Sequence, residues 1–288
     1  GFTIGAKCYV GTGYSGSSTL NDFWEYDIAT NTWTQKANYP GGGRLNITGF
    51  SIGNKGYFGC GWNSAYKNDL WEYDPATDTW TQKASLPSTA RWGAVGFSIG
   101  TKGYIGTGDA AGNGTSCLTD FWEWDQGTNT WTQKANFIGA AVYGAAGFSI
   151  GTKGYIGTGY SSTTSVHNEF YEWDQATNTW SQKASFGGAA RYQGTGFAIG
   201  TSGYIGTGSG GNDFWRWDQA TNTWAAQPAY PGAGTNVCVG LTAAGKGFIG
   251  TGQTTGGGTT EYWQFGPGRA SAVPACKCGR RRLCCGIP

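Results

Sequence analysis

The chain has 288 residues, a net charge of +2, only 12% charged residues and 53 glycines, a balance that would suggest disorder were 16% of its residues not aromatic. Those rings supply ample surface to bury, so the composition is that of a glycine-rich globular β protein, and no apolar run approaches the roughly 18 residues of a membrane span. Five bases, Arg269, Lys277, Arg280, Arg281 and Arg282, crowd into the tail, leaving a slightly acidic body that charge alone excludes from nucleic-acid binding.

The chain opens on Gly1-Phe2-Thr3-Ile4-Gly5, a short strand that returns at Gly49, Gly96, Gly147 and Gly196, with Gly240-Leu241-Thr242-Ala243-Ala244 as a weaker sixth version. A tight glycine turn and a second strand follow each time, as in Lys102-Gly103-Tyr104-Ile105-Gly106-Thr107-Gly108. The stretch Phe23-Trp24-Glu25-Tyr26-Asp27-Ile28-Ala29-Thr30-Asn31-Thr32-Trp33-Thr34-Gln35-Lys36-Ala37 then supplies two more strands. Its ends are aromatic and β-branched and its middle is a short polar link, which predicts a hairpin. Asp27 is placed to accept backbone N–H bonds from the link, and Asn31 to take the left-handed conformation that closes it. Copies begin at Leu70, Phe121, Phe170 and Phe214, and their tryptophans Trp33, Trp80, Trp131, Trp180 and Trp224 recur with a period near fifty, the mark of stacked units.

Each unit is thus four antiparallel strands with large groups on both faces. Such a sheet cannot stand alone, and six arranged radially bury each face against the next. The Gly-Thr-Gly ending the second strand, the Trp-Glu-Tyr-Asp of the third and the tryptophan of the fourth resemble the glycine doublet, Tyr-Asp and spaced tryptophan of kelch repeats, over about residues 1 to 265. The resemblance implies an all-β, six-bladed kelch-type β-propeller with four antiparallel strands per blade, occupying 1–266. The near-identical wording of the units further resembles secreted kelch proteins of Bacteroidetes-type bacteria.

The sixth unit departs from the pattern, because no Thr-Asn-Thr-Trp strand follows Tyr262-Trp263-Gln264-Phe265. Blade six is therefore incomplete or is completed by the tail, with Ala270 to Ala275 as the candidate strand; an unpaired strand would be a sticky edge for another chain. The remainder, 267–288, is a basic cysteine-rich tail. The chain contains no methionine, which points to a processed or partial chain, and no signal peptide is visible in it.

Some kelch propellers are copper oxidases with two histidines and two tyrosines on the axis; His167 is the one histidine here, so that ligand set is absent and no cofactor or metal is expected. No Gly-x-Ser-x-Gly elbow, His-Glu-x-x-His motif or phosphate loop occurs. The links between second and third strands and the links between blades vary from copy to copy, and both emerge on one face. That face, dressed with Trp62, Trp92, Tyr143 and Tyr192 among small polar residues, is the candidate binding surface for a glycan or a protein. Arg44, Arg91 and Arg191 recur before the first strand. They either meet an anionic ligand or serve as structural arginines of the kelch pattern, stacking on rings or bonding backbone carbonyls.

Cys8, Cys60, Cys117 and Cys238 lie outside the repeat, and Cys276, Cys278, Cys284 and Cys285 fill the tail. All eight are disulfide candidates, which places the chain outside the cell or on its surface. Asn46-Ile47-Thr48 and Asn113-Gly114-Thr115 match the glycosylation pattern. The expected protein is a non-catalytic extracellular binding module. The alternatives are a structural subunit of an assembly joined through blade six or the tail, and a sugar mutarotase-like kelch enzyme using arginine and a carboxylate.

Overall fold

A computed structural model describes residues 1–273 apart from 16, 113, 162–164, 233–235, 255–256, 260 and 267–268. Six four-stranded antiparallel sheets follow one another along the chain. In blade three the strands are Val95–Ile99, Lys102–Gly106, Phe121–Asp125 and Thr130–Lys134, paired in that order. The first strands of neighbouring blades touch all the way round, with Phe2–Ile4 of blade one meeting both Thr48–Ile52 of blade two and Val239–Ala243 of blade six. The sheets therefore form a closed ring with their first strands innermost, a six-bladed β-propeller.

The tail completes blade six. Arg269–Val273 pairs antiparallel with Tyr262–Gly266, placing Ala270 opposite Phe265, where Trp33 stands opposite Tyr26 in blade one. Of the two expectations for that blade, completion by the tail is the one realised.

Period-two alternation sends successive side chains of each strand into different seams. Phe23 enters the cluster between blades one and two with Phe2, Tyr9, Phe58 and Tyr73, while Tyr26 enters that between six and one with Val10, Phe248 and Tyr262. One cluster of this kind fills every seam. The hairpin forms as its residues dictate: the Ala29 N–H donates to Asp27 Oδ1 at 2.9 Å, and Asn31 takes φ 56°.

Two devices lock blade to blade. The first is steric. A phenylalanine of each innermost strand lies over a glycine of the next blade, in the pairs Phe2/Gly56, Phe50/Gly103, Phe97/Gly154, Phe148/Gly203 and Phe197/Gly247, where an added Cβ would fall 1.9–2.4 Å from the ring. At the closing seam both partners change together: Leu241 replaces the phenylalanine and Cys8 the glycine, inside one buried cluster.

The second is a clamp on a main-chain amide. The Ala37 N–H donates to Asp78 Oδ1 at 3.0 Å, and its carbonyl accepts from Trp80 Nε1 at 2.9 Å. Asn129 with Trp131 holds Ala84, Asn178 with Trp180 holds Ala135, and Asn222 with Trp224 holds Ala184 in the same way.

No disulfide links any two of Cys8, Cys60, Cys117 and Cys238, contrary to the sequence expectation. Cys8 is buried in the seam between blades six and one and Cys60 in that between two and three, too far round the ring to bridge. Burial pushes both thiols up to about 12, so neither is a ready thiolate at neutral pH. Cys276, Cys278, Cys284, Cys285 and the asparagine of the second glycosylation pattern, Asn113, lie outside the described residues.

Candidate functional site: an aromatic patch on the variable face

The variable links meet as the repeat comparison expects. Short bridges join four of the inter-blade links to the second-to-third-strand link of the blade they enter: Leu45 to Trp62, Trp92 to Asp109, Tyr143 to Tyr160, and Asn236 to Gln253. One face of the ring is therefore built from both variable sets.

A collar of backbone bonds runs through this face directly before the innermost strands. The Gly93 N–H donates to the Asn46 carbonyl at 3.3 Å, Gly144 to Gly93 at 2.9 Å, Gln193 to Gly144 at 2.7 Å and Val237 to Gln193 at 2.9 Å. All five residues have φ between 47° and 61°, the left-handed region that glycine fills without strain. Trp92, Tyr143 and Tyr192 each immediately precede a collar residue, so the collar sets the rings of blades three, four and five side by side.

Trp92 stacks on Tyr143 with ring centroids 5.7 Å apart and planes at 15°. Tyr143 meets Tyr192 at 5.9 Å, and Tyr160, from the variable link of blade four, closes the group at 5.6 Å from Tyr143 and 5.3 Å from Tyr192. All four rings are half-buried. Burial, aided by the neighbouring Tyr192 and Tyr160, raises the Tyr143 phenol to about 12, so it remains a hydrogen-bond donor at physiological pH. Trp92 Nε1 is buried and has no hydrogen-bond partner among the described residues.

The loop beside the patch is shaped by Asp109, which is fully buried. Its carboxylate accepts the backbone N–H groups of Ala111, Gly114 and Ser116 at 3.3, 2.9 and 3.1 Å. This fold brings Gly114 so close to Tyr160 that an added Cβ would lie 3.0 Å from the ring. Asp109 is absent from the sequence-level candidates; the one signal for it is an aspartate following Gly-Thr-Gly where other copies carry an aromatic or small polar residue.

Trp62 stands apart from the patch, half-buried and paired with Tyr66 in a two-residue ladder of blade two. Tyr39 and Tyr230 lie wholly in the seams, and His167 Nδ1 sits 3.1 Å from Glu169 Oε2.

The three recurring arginines are not on the patch surface. Arg44, Arg91 and Arg191 are all buried, at 1%, 0% and 0% exposure. Arg91 holds Asp120 through two bonds of 2.6 and 2.7 Å and donates to the carbonyls of Thr89 and Thr107 and to Ser88 Oγ. Arg44 is bidentate to Asp69, donates to the Cys60 and Gly41 carbonyls and lies 5.2 Å from the Tyr39 ring centre. Arg191 bonds Asp213 at 2.7 Å and stacks 4.7 Å over Phe186. Each guanidinium is occupied by protein groups at the link between two blades, the arrangement of a structural arginine.

No curated protein matches the chain in sequence. Among solved structures it is similar to that of YjhT, with a TM-score of 0.80 over 94% of this chain and 95% of that one, at 18% identity. The kelch motif family matches residues 4–38, which run from the last residue of blade one's first strand through its other three strands to just past the clamped Ala37. With that unit recurring round the ring, the chain is a kelch-repeat protein folded as a six-bladed β-propeller.

Proposed function

We propose that this protein is a binding module, acting outside the cell or at its surface without catalysis of its own, and that its variable face holds a carbohydrate. The observation that carries the reading is the convergence of Trp92, Tyr143, Tyr160 and Tyr192, from three successive blades, into one half-buried patch. Sugar rings present apolar C–H faces and equatorial hydroxyls, which suit aromatic faces bearing phenol and indole donors. What favours binding over sugar isomerisation is the engagement of Arg44, Arg91 and Arg191 with Asp69, Asp120 and Asp213, which leaves those pairs no free geometry toward a substrate.

The test is a glycan array probed with the intact chain and with Trp92→Ala. Saturable binding to a defined set of glycans, weakened at least tenfold in Trp92→Ala, is expected. An array that stays blank, or binding indifferent to Trp92, would overturn the assignment.

A further inference from the structure

The amide clamp is present at four seams and lost at a fifth, between blades five and six, where Pro228 takes the place of the clamped alanine and Ala270 that of the tryptophan. At the seam between six and one, only half of it remains. Blade one keeps its part: Asn31 is left-handed, its Oδ1 accepts from Tyr26 Oη at 2.7 Å, and the Trp33 ring packs 5.2 Å from Tyr262. Yet Trp33 Nε1 is buried with no hydrogen-bond partner among the described residues. The residue following Arg269–Val273, Pro274, lies outside the described residues, and a proline has no N–H to give Asn31.

The occupied seams define what this half-clamp accepts. Each takes the N–H and C=O of an alanine that ends an extended strand, reading Thr-Trp-Thr-Gln-Lys-Ala in the first three cases and Thr-Trp-Ser-Gln-Lys-Ala in the fourth. At three of these seams the tryptophan of the fourth strand also packs on a phenylalanine of the preceding blade: Phe23 with Trp80 at 4.9 Å, Phe121 with Trp180 at 5.2 Å and Phe170 with Trp224 at 5.2 Å. Phe214 has no such tryptophan, because Ala270 stands in that register.

We propose that blade six is an acceptor site for an extended peptide of the Thr-Trp-Thr-Gln-Lys-Ala type, which enters as its fourth strand in exchange for Arg269–Val273. Main-chain ladder bonds are indifferent to sequence, so the exchange conserves them. The incoming strand adds a tryptophan for Phe214, an alanine N–H for Asn31 and a carbonyl for the buried Trp33 donor, whose lack of an acceptor is costly. The occupant is a segment with this repeat's own fourth-strand chemistry, held by a chain that has not folded it into a blade.

The test uses the intact chain and a fluorescein-labelled peptide of residues 30–38, Thr-Asn-Thr-Trp-Thr-Gln-Lys-Ala-Asn, read by fluorescence anisotropy. Saturable binding is expected, weakened at least tenfold by Trp33→Phe in the protein and equally by proline in place of the peptide's alanine. Trp33→Phe should lower the thermal midpoint less than Trp80→Phe does, since both trim a ring packed in a seam but only Trp80 also gives up a hydrogen bond. Trp80→Phe, at a filled clamp, should lower the midpoint and leave peptide binding unchanged. Absence of saturable binding, or binding insensitive to both the proline and Trp33→Phe, would overturn the proposal. Glycan binding at the variable face does not involve this seam, so the two readings fail separately.

Discussion

The closing seam offers a sharp test of how the ring is held in register. Five seams place phenylalanine over glycine, and at each an added Cβ would approach the ring to 2.4 Å or less, far inside van der Waals contact. The sixth pairs Leu241 with Cys8. Leu241→Phe alone therefore drives a ring onto the Cys8 side chain, an overpacking expected to cost about 1–3 kcal/mol. Cys8→Gly alone leaves a void beside Leu241 and loosens a strand, for about 2 kcal/mol. Together the two substitutions recreate the arrangement of the other five seams, so the double variant should unfold within about 1 kcal/mol of the parent, with a coupling of about 2 kcal/mol or more between the sites. Equilibrium urea unfolding followed by tryptophan fluorescence measures all four corners of the cycle. Additivity within about 0.5 kcal/mol would refute the idea that the residues are matched in volume.

Other perturbations bear on the arginines, the clamp and the acid limit of stability. Arg91→Ala removes both bonds to Asp120 and should destabilise by about 3–5 kcal/mol; Arg191→Ala should cost less, because Asp213 is 42% exposed where Asp120 is 17% and can rehydrate. Urea midpoints rank the two. Trp131→Ala strips a ring that packs in the seam between blades two and three and bonds the Ala84 carbonyl at 2.8 Å, for roughly 3–5 kcal/mol; an unchanged midpoint would contradict the packing described. Burial raises the Asp120 carboxyl, but the hydrogen bonds and charge of Arg91, with Ser88 and Trp122, outweigh it and hold the group below the usual carboxylate range. A depressed carboxylate stabilises the fold above its unfolded value of about 3.9 and loses that contribution as pH falls through the folded value. Stability measured from pH 6 to pH 2 should therefore drop below about pH 4, and less steeply in Asp120→Asn.

The blade was legible because its causes are local and repeated. Asp27, Asn31 and the alternating rings of Phe23 to Asp27 fix a hairpin in any copy, and recurrence turns a weak motif into an architecture. Internal variation also located the face that carries the aromatic patch, since Trp92, Tyr143 and Tyr192 fall in segments that differ among copies. Their grouping into a patch was not legible, because it depends on the collar bonds between Gly93, Gly144 and Gln193, which join residues about fifty positions apart. The arginines illustrate the opposite difficulty. Their spacing is equally compatible with a ligand ring and with structural pairs, and the partners Asp69, Asp120 and Asp213 become visible only when the following blade folds back. The cysteine count suggested bridges because sequence does not report which seam each thiol enters.

The binding claim is tested most directly at the Trp92 indole, whose Nε1–H is buried and lacks an acceptor among the described residues. Its resonance, assigned in a 1H–15N spectrum by comparison with Trp92→Phe, should move and saturate as the strongest ligand from the array is added, while the seam indole of Trp131 stays still. A Trp92 signal that remains fixed while ligand binds elsewhere would contradict the account.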